Sequence, residues 1–145
     1  MIYADTSAVL PYYRQEAHSA SVERMFVDTS HVILLSDLTR VEFFSAVARW
    51  VHGQEITEPQ AGQIEGAFAD DLRAGRFRVA PLEKAVFDRA MRLLQVRSVG
   101  LKSLDAIHLS VAMTHQATLM TLDRQLRAAA RFHDVECTAL ARDDD

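Results

Sequence analysis

Short runs of apolar residues alternate along this chain with segments in which apolar residues recur every three or four positions. The run "MIYA" precedes "TSAVLPYYR", and the run "HVILLS" precedes "LTRVEFFSAVARWV". A short unbroken apolar run is typical of a strand buried on both faces, whereas recurrence at three or four positions is typical of a helix. The pattern therefore predicts a strand followed by a helix, twice in succession.

The same alternation continues to the end of the chain. A helix is predicted from about Glu58 to Ala74, and Gly75 would end it. There follow "FRVAPL" as a strand, "EKAVFDRAMRLLQV" as a helix, "LKSLDAIHLSVA" as a helix, "ATLMTLD" as strand and turn, "RQLRAAARF" as a helix and "VECTAL" as the last strand. Strands that alternate with helices predict a three-layer α/β/α domain with a mainly parallel central sheet.

Length and composition limit the class of protein. The 145 residues, 49% of them hydrophobic, suffice for one domain with a substantial core. We assign residues 1–142 to this domain and residues 143–145, "DDD", to a solvated acidic tail. No run approaches the ~20 apolar residues of a membrane span, and the N-terminus lacks the basic start of a signal peptide. We therefore expect a cytoplasmic protein without a membrane partner.

Cysteine and charge add two further limits. Cys137 is the single cysteine, so an internal disulfide and a multi-cysteine zinc site are both excluded, and its surroundings predict a buried strand position. The formal net charge is −4, and the acidic tail carries three of these negative charges. This balance does not indicate nucleic acid, but the cations are almost all arginine, which binds phosphate through a bidentate fork.

Four acidic residues are predicted at one rim of the sheet. Asp5 ends the first strand, and Asp123 lies just beyond the strand "ATLMT". Glu42 lies about one turn into the helix that leaves the second strand, and Asp105 lies in the first turn of a helix that runs antiparallel to the following strand. All four positions belong to the carboxyl edge, where open α/β sheets bind their ligands.

Helix chemistry offers another explanation for three of these acids. Ser103 is a candidate N-cap for the helix that contains Asp105, and an acid in the first turn meets the positive end of the helix dipole. Asp5 could cap the helix that begins near Ser7, and Asp123 could cap the helix "RQLRAAA". Local pattern alone does not separate capping from ligand binding.

Glu42 is harder to explain in this way. Asp37 is already available as the cap of its helix, and the neighbours Val41, Phe43 and Phe44 would make an unpaired carboxylate costly. The alternative to a functional role is a buried salt bridge to an arginine.

Clustered carboxylates repel one another unless a cation joins them, and an all-oxygen site suits Mg²⁺ or Mn²⁺. Zinc is disfavoured because the six histidines are scattered and form no HExxH pattern. We interpret His108 as a hydrogen-bonded packing residue and not as a metal ligand.

The sequence lacks the GxGxxG, P-loop and GxSxG motifs. Dinucleotide binding, ATP binding and serine-hydrolase chemistry therefore have no motif to support them. Metal-assisted attack on a phosphate is the reaction that remains for the four acids.

Four segments together resemble the PIN-domain ribonucleases, and specifically the VapC-type toxins of bacterial toxin–antitoxin pairs. In chain order the segments are "MIYADTSAVL", "LTRVEFFSAV", "LKSLDAIHLSVA" and "TLMTLDRQL". The resemblance covers the whole chain and implies a PIN-like fold. It also implies that Asp5, Glu42, Asp105 and Asp123 are the metal-binding and catalytic acids, with Ser7 and Thr121 as supporting hydroxyls.

Roles for these residues follow from the resemblance combined with metal chemistry. Asp5 and Asp105 are expected to be the principal ligands of Mg²⁺, for which Mn²⁺ can substitute, and Glu42 a ligand or the group that orients the attacking water. Asp123 is expected to be an outer ligand or a ligand of a second ion. The implied reaction is hydrolysis of RNA, with a tRNA or rRNA loop as substrate, to a 3′-hydroxyl and a 5′-phosphate.

The resemblance further implies a homodimer and a cognate VapB-type antitoxin. Arg14, Arg40 and Arg124 are candidates for contacts with RNA and this partner because they are close to the acids in sequence.

Two alternative functions remain open. One is a catalytically silent PIN-like module that binds RNA or a partner. The other is a phosphoacceptor receiver domain, which would need an acidic pair after the first strand, whereas Asp5 stands alone, and "APLEK" and "ARDDD" lack its other signatures.

Overall fold

The structure, a computed structural model, describes residues 1–28 and 30–142. The described residues form four strands and seven helices. In chain order these are β1 (Ile2–Ala4), α1 (Thr6–Tyr13), α2 (Ser19–Asp28), β2 (Ile33–Ser36), α3 (Asp37–His52), α4 (Glu58–Arg73), β3 (Arg78–Ala80), α5 (Lys84–Gln95), α6 (Ser103–Thr114), β4 (Thr118–Met120) and α7 (Arg124–Phe132).

The four strands form one parallel sheet in the order β3-β2-β1-β4. The central strand β1 pairs with β2 through Ile2 and Ile33, and with β4 through Ala4 and Met120. All carboxyl ends of the strands therefore meet at one edge, as predicted. A receiver-type doubly wound sheet has the order 2-1-3-4-5, so this strand order excludes the receiver alternative.

Alternate residues of β1 enter two separate hydrophobic cores. Ile2 and Ala4 pack with residues of α1 to α4, whereas Tyr3 packs with residues of α5 to α7. Because successive side chains of a strand point to opposite faces, this division places four helices on one face of the sheet and three on the other. The three-layer α/β/α architecture is thus confirmed, and β1 lies at its centre.

Two predicted helix caps are wrong. The N-cap of α3 is Ser36, whose side chain accepts from the Thr39 amide in a capping box, and Asp37 is the first helical residue. Ser103 is the first residue of α6, where Lys102 takes the N-cap position and makes no side-chain cap. Asp105 therefore remains in the first turn of a helix that begins without a side-chain cap.

Two further differences concern the element list. The helix α2 was not predicted, because two of its buried positions are Ser19 and Ser21 and the apolar pattern is correspondingly weak. The predicted last strand is reduced to a single parallel bridge between Leu119 and Cys137, and Cys137 is only partly buried. Leu140 packs against the α1–α4 core, so this segment crosses the sheet edge and does not extend along β4.

Among the residues that the structure describes, no helix is both long enough and apolar enough to cross a membrane. The predicted acidic tail, residues 143–145, lies outside the described residues.

Candidate active site

Asp5 is the most buried of the four acids, with 4% of its surface exposed. It caps α1, because its Oδ1 atom accepts from the Ala8 amide at 3.2 Å, and the same atom accepts from the Ser7 hydroxyl at 2.7 Å. Its Oδ2 atom accepts from the Thr121 hydroxyl at 2.7 Å. Burial raises the pKa of Asp5, and the charge of His108 and these hydrogen bonds offset part of the rise.

The two hydroxyls that contact Asp5 also hold the loop after β4. The Ser7 hydroxyl oxygen accepts from the Leu122 amide at 2.9 Å, and the Thr121 hydroxyl oxygen accepts from the Asp123 amide at 3.0 Å. The amide of Asp5 donates to the carbonyl of Met120, which continues the β1–β4 ladder to this point. The end of β1 and the loop that bears Asp123 are therefore held side by side.

Asp123 does cap α7, because its Oδ1 atom accepts from the Leu126 amide at 2.9 Å. A carboxylate has about four acceptor positions, so this bond leaves most of its capacity free. Arg127 lies on the first turns of the same helix and donates to the Thr121 carbonyl at 2.6 Å. Capping thus fixes where Asp123 lies without excluding a role in the site.

Asp105 differs from the other acids because it has no hydrogen-bond or ion-pair partner among the described residues, although it is partly buried. Burial raises the pKa of Asp105, and the negative charges of Asp123 and Asp5 raise it further, while His108 and Lys102 act in the opposite direction. Asp105 therefore lies within electrostatic range of the other two aspartates. A carboxylate under like-charge repulsion and without a donor is a position for a cation.

Glu42 lies in α3, and its Oε1 atom is held by two donors. The Thr6 hydroxyl donates at 2.8 Å, and His108 Nε2 lies at 2.5 Å. Burial alone raises the pKa of Glu42, but the hydrogen bonds from His108 and from the Thr6 hydroxyl contribute to lowering it overall. The predicted alternative of a buried salt bridge to arginine is wrong, since within the described ranges only His108 is placed to form an ion pair with Glu42.

His108 is a hydrogen-bonded, 2% exposed residue, in agreement with its interpretation from the sequence. Its Nδ1 atom lies 2.6 Å from the Tyr3 hydroxyl, and the Tyr3 hydroxyl lies 2.9 Å from the Ser36 hydroxyl. Sequence reasoning missed these partners and also Thr6. The available signal was Tyr3 itself, because a tyrosine in a strand buried on both faces needs a partner for its hydroxyl.

The carboxylate oxygens of the acids suit a hard cation, but the acids do not form a preformed set of ligands. Within residues 1–28 and 30–142, no group of three or more histidine, cysteine or acidic side chains is placed so that it could hold a metal ion. Asp5 keeps about one acceptor position, Asp105 keeps all of its positions, and Asp123 keeps its Oδ2 atom. Mg²⁺ commonly binds through one or two carboxylates and retains several waters, so this oxygen set suits it.

The three candidate arginines differ in whether an acidic side chain pairs with them. Arg14 pairs with Glu55 at 3.5 Å and lies over the Trp50 ring, 4.5 Å from its centroid. Arg40 pairs with Asp37 at 3.0 Å. Arg124 directly follows Asp123 at the start of α7, is exposed, and forms no ion pair within the part of the chain that the structure describes. Arg124 is therefore the candidate that adjoins one of the acids in sequence and has no ion-pair partner among the described residues.

The fold and the site together define a class, namely parallel α/β proteins that bind a ligand where acids gather at the strand ends. A family model described as PIN domain matches residues 2–132. The chain belongs to the PIN-domain family, which confirms the resemblance to that family. No curated protein sequence matches the chain significantly.

Three solved structures illustrate the similarity of the fold. VapC20 of Mycobacterium tuberculosis is 17% identical, with 89% of this chain and 95% of that chain covered and a TM-score of 0.70. A toxin–antitoxin complex from Klebsiella pneumoniae is 17% identical, with coverages of 86% and 89% and a TM-score of 0.63. VapBC2 of Rickettsia felis is 15% identical, with coverages of 97% and 100% and a TM-score of 0.69. At these identities the likeness establishes the fold alone.

Proposed function

We propose that this protein is a Mg²⁺-dependent endoribonuclease and the toxin of a toxin–antitoxin pair. The observation that carries the proposal is Asp105, a partly buried carboxylate in the first turn of α6 that has no donor among the described residues and lies within electrostatic range of Asp5 and Asp123. A stable protein retains such a repulsive arrangement where a cation joins the charges. A divalent cation beside several carboxylates is in turn suited to the hydrolysis of a phosphodiester.

The similar structures support the choice of RNA and of a toxin. VapC20 is described as a toxin that cleaves the sarcin–ricin loop, and VapBC2 was solved with a DNA fragment from its own promoter. By analogy, the substrate proposed here is a tRNA or rRNA loop, and the proposed partner is a VapB-type antitoxin. We further expect a homodimer in the cytoplasm, as the family resemblance implies.

Each acid has a distinct part in the proposed reaction. Asp5 and Asp105 would hold the cation, and Asp123 would act as an outer ligand through its free Oδ2 atom. Glu42 would hold the attacking water in line with the scissile phosphate, or act as a further ligand. Bound Mg²⁺ supplies neutralisation of phosphate charge and lowers the pKa of water. Ser7 and Thr121 would keep Asp5 in its ionised, correctly rotated form through their hydrogen bonds.

A catalytically silent PIN-like module is the second candidate. Two observations favour it. Among the described residues no group of three or more possible ligand side chains is placed to hold a metal ion, and Glu42 is engaged by His108 and Thr6. Such a module would bind RNA or its partner through the same edge without cleavage.

Cleavage assays with and without divalent cations separate the two candidates. We expect RNA cleavage that excess EDTA abolishes and that Mg²⁺ or Mn²⁺ restores. Asp5→Asn and Asp105→Asn should each abolish cleavage and growth inhibition, whereas Asp123→Asn should reduce them less. The matched control is Glu136→Gln, which neutralises an exposed side chain on the segment that pairs with Leu119 of β4 and should cleave at the wild-type rate. Undiminished cleavage in EDTA would refute the metal mechanism, and RNA binding without cleavage would favour the silent module.

A further inference from the structure

A continuous line of hydrogen bonds leads from the core of the sheet to Glu42. Ser36 at the end of β2, Tyr3 in β1 and His108 in α6 are buried, with exposed fractions of 0%, 0% and 2%. Their successive contacts are 2.9 Å and 2.6 Å long, and the last contact, from His108 Nε2 to Glu42 Oε1, is 2.5 Å long. We call the three residues Ser36, Tyr3 and His108 the relay.

The direction of donation along the relay follows from its last contact. An ionised Glu42 can only accept, so His108 Nε2 must carry the proton that is donated to Oε1. In the neutral imidazole Nδ1 is then an acceptor, and the Tyr3 hydroxyl donates to it. The Ser36 hydroxyl, whose oxygen accepts from the Thr39 amide, can in turn donate to the Tyr3 oxygen. Every polar group of the relay is satisfied in this arrangement.

The relay ends on an acid that one other element also holds. Glu42 Oε1 receives a second hydrogen bond from Thr6 on α1, so donors from α1 and α6 converge on one oxygen. Oε2 accepts from no described residue and stays available to a water or a cation. His108 lies one turn after Asp105 on α6, so the same helix carries an acid of the cluster and the donor that orients Glu42.

We propose that Ser36, Tyr3 and His108 are positioning residues, which fix the His108 tautomer and thereby the rotation of the Glu42 carboxylate. The inference rests on the proposed nuclease function for its consequence in catalysis. Outer partners that orient acidic or histidine groups in metal sites typically contribute 10- to 100-fold in affinity or activity. The competing explanation is that Tyr3 and His108 only satisfy one another in the core, in which case their loss would affect stability alone.

Tyr3→Phe is the first test because it removes one hydroxyl and retains the ring. Tyr13→Phe is its matched control, since the Tyr13 hydroxyl also donates to a carboxylate, that of Asp71, away from the acids. We expect Tyr3→Phe to lower kcat about 10-fold with little change in KM for RNA, and Tyr13→Phe to leave both unchanged. Equal kinetic effects of the two variants would overturn the proposal.

Nitrogen-15 NMR of the His108 ring provides a measurement that needs no activity. Wild type should show a protonated Nε2 and an unprotonated Nδ1, and Tyr3→Phe should lose this single tautomer. A proton on Nδ1 in neutral wild-type His108 would overturn the proposed direction of the relay. If wild type cleaves no RNA, the proposed nuclease function fails, and the tautomer measurement still decides whether the relay orients the donor to Glu42.

Two substitutions at His108 provide an independent test in case Tyr3→Phe does not fold. His108→Gln places an amide nitrogen where Nε2 was, and His108→Asn places its amide nearer the Nδ1 position. A positioning role predicts that Gln retains much more activity than Asn, because only Gln can donate to Glu42. Equal activities of these two variants at equal thermal stability would also overturn the proposal.

Discussion

At the scale of single residues, capping and ligand binding do not exclude one another. Asp5 and Asp123 each cap a helix, as the alternative from helix chemistry predicted, and the negative charge of each also acts on Asp105. A carboxylate oxygen has two acceptor positions, and a helix cap uses one of them. Asp105 is the exception, because no cap and no partner among the described residues accounts for its position.

Asp105→Asn should stabilise the metal-free protein. Removal of a partly buried charge that lies within electrostatic range of two other acids relieves repulsion on the order of 1 kcal/mol, reduced by solvent screening and by the lost helix-dipole interaction. Because the folded-state pKa of Asp105 is raised, the wild type loses stability as the pH rises from about 3.9 through that pKa. Melting curves in EDTA should therefore show the advantage of the variant growing as the pH rises above about 4.

The same two proteins test the assignment of Asp105 as a ligand. Millimolar Mg²⁺ should raise the melting temperature of the wild type by mass action and that of Asp105→Asn much less. Equal Mg²⁺-induced shifts in both proteins would return Asp105 to the role of an ordinary first-turn aspartate.

At the scale of elements, the ends of the helices follow from local chemistry more than from packing. The helix α4 begins with the capping box of Thr57 and Gln60, and Gly75 follows its end with a φ of +73°. That backbone region favours glycine, because a Cβ atom there is strained whatever the surrounding space. The beginning of α6 is the counterexample, since it has no side-chain cap and its position depends on packing.

Gly75→Ala should destabilise the protein by about 1 kcal/mol through backbone strain alone, since no atom lies within 4 Å of an added Cβ. Gly66→Ala, in the exposed middle of α4 with equally open space, should instead stabilise by about 0.5–1 kcal/mol. Urea titrations of both variants measure the difference. Stabilisation by alanine at both positions would contradict the account of the α4 terminus.

At the scale of the whole molecule, the two cores on either side of β1 determine which acids meet. The α1–α4 layer brings Glu42 to the edge, and the α5–α7 layer brings Asp105 and His108 to the same edge from the other face. The net charge of −4 gives no sign of RNA binding, so any attraction for phosphate has to be local.

Arg124 is the cation expected to supply that local attraction. Arg124→Gln should weaken RNA binding and reduce the slope of log affinity against log salt by about 0.7, the loss expected for one contact to a single-stranded phosphate. Arg73→Gln is the control, because Arg73 is paired with Asp70 on the exposed end of α4. Titrations of fluorescent RNA at several salt concentrations measure both slopes, and an unchanged slope in Arg124→Gln would remove this residue from the RNA interface.

The sequence alone was sufficient for those features that depend on neighbouring residues. Apolar runs and helical spacing predicted the four strands and all helices except α2, and strand ends predicted where Asp5 and Asp123 lie. Helix and strand periodicity is local, and parallel strands share an edge, so these steps need no tertiary information. Where local signals were weak or ambiguous, as at Ser19, Ser103 and Asp37, the predictions failed.

Only the tertiary structure decided which groups pair across the fold. The partner of Glu42 is His108, which is 66 positions away, and the partner of His108 is Tyr3, which is 105 positions away. No periodicity links such residues, because the contact depends on two helices packing against opposite faces of one strand. The pairing of Cys137 with Leu119 is likewise limited to one bridge because the chain then crosses the sheet edge and packs Leu140 against the α1–α4 core. Burial and pairing over long separations are properties of the packed whole, whereas the elements themselves follow from local pattern.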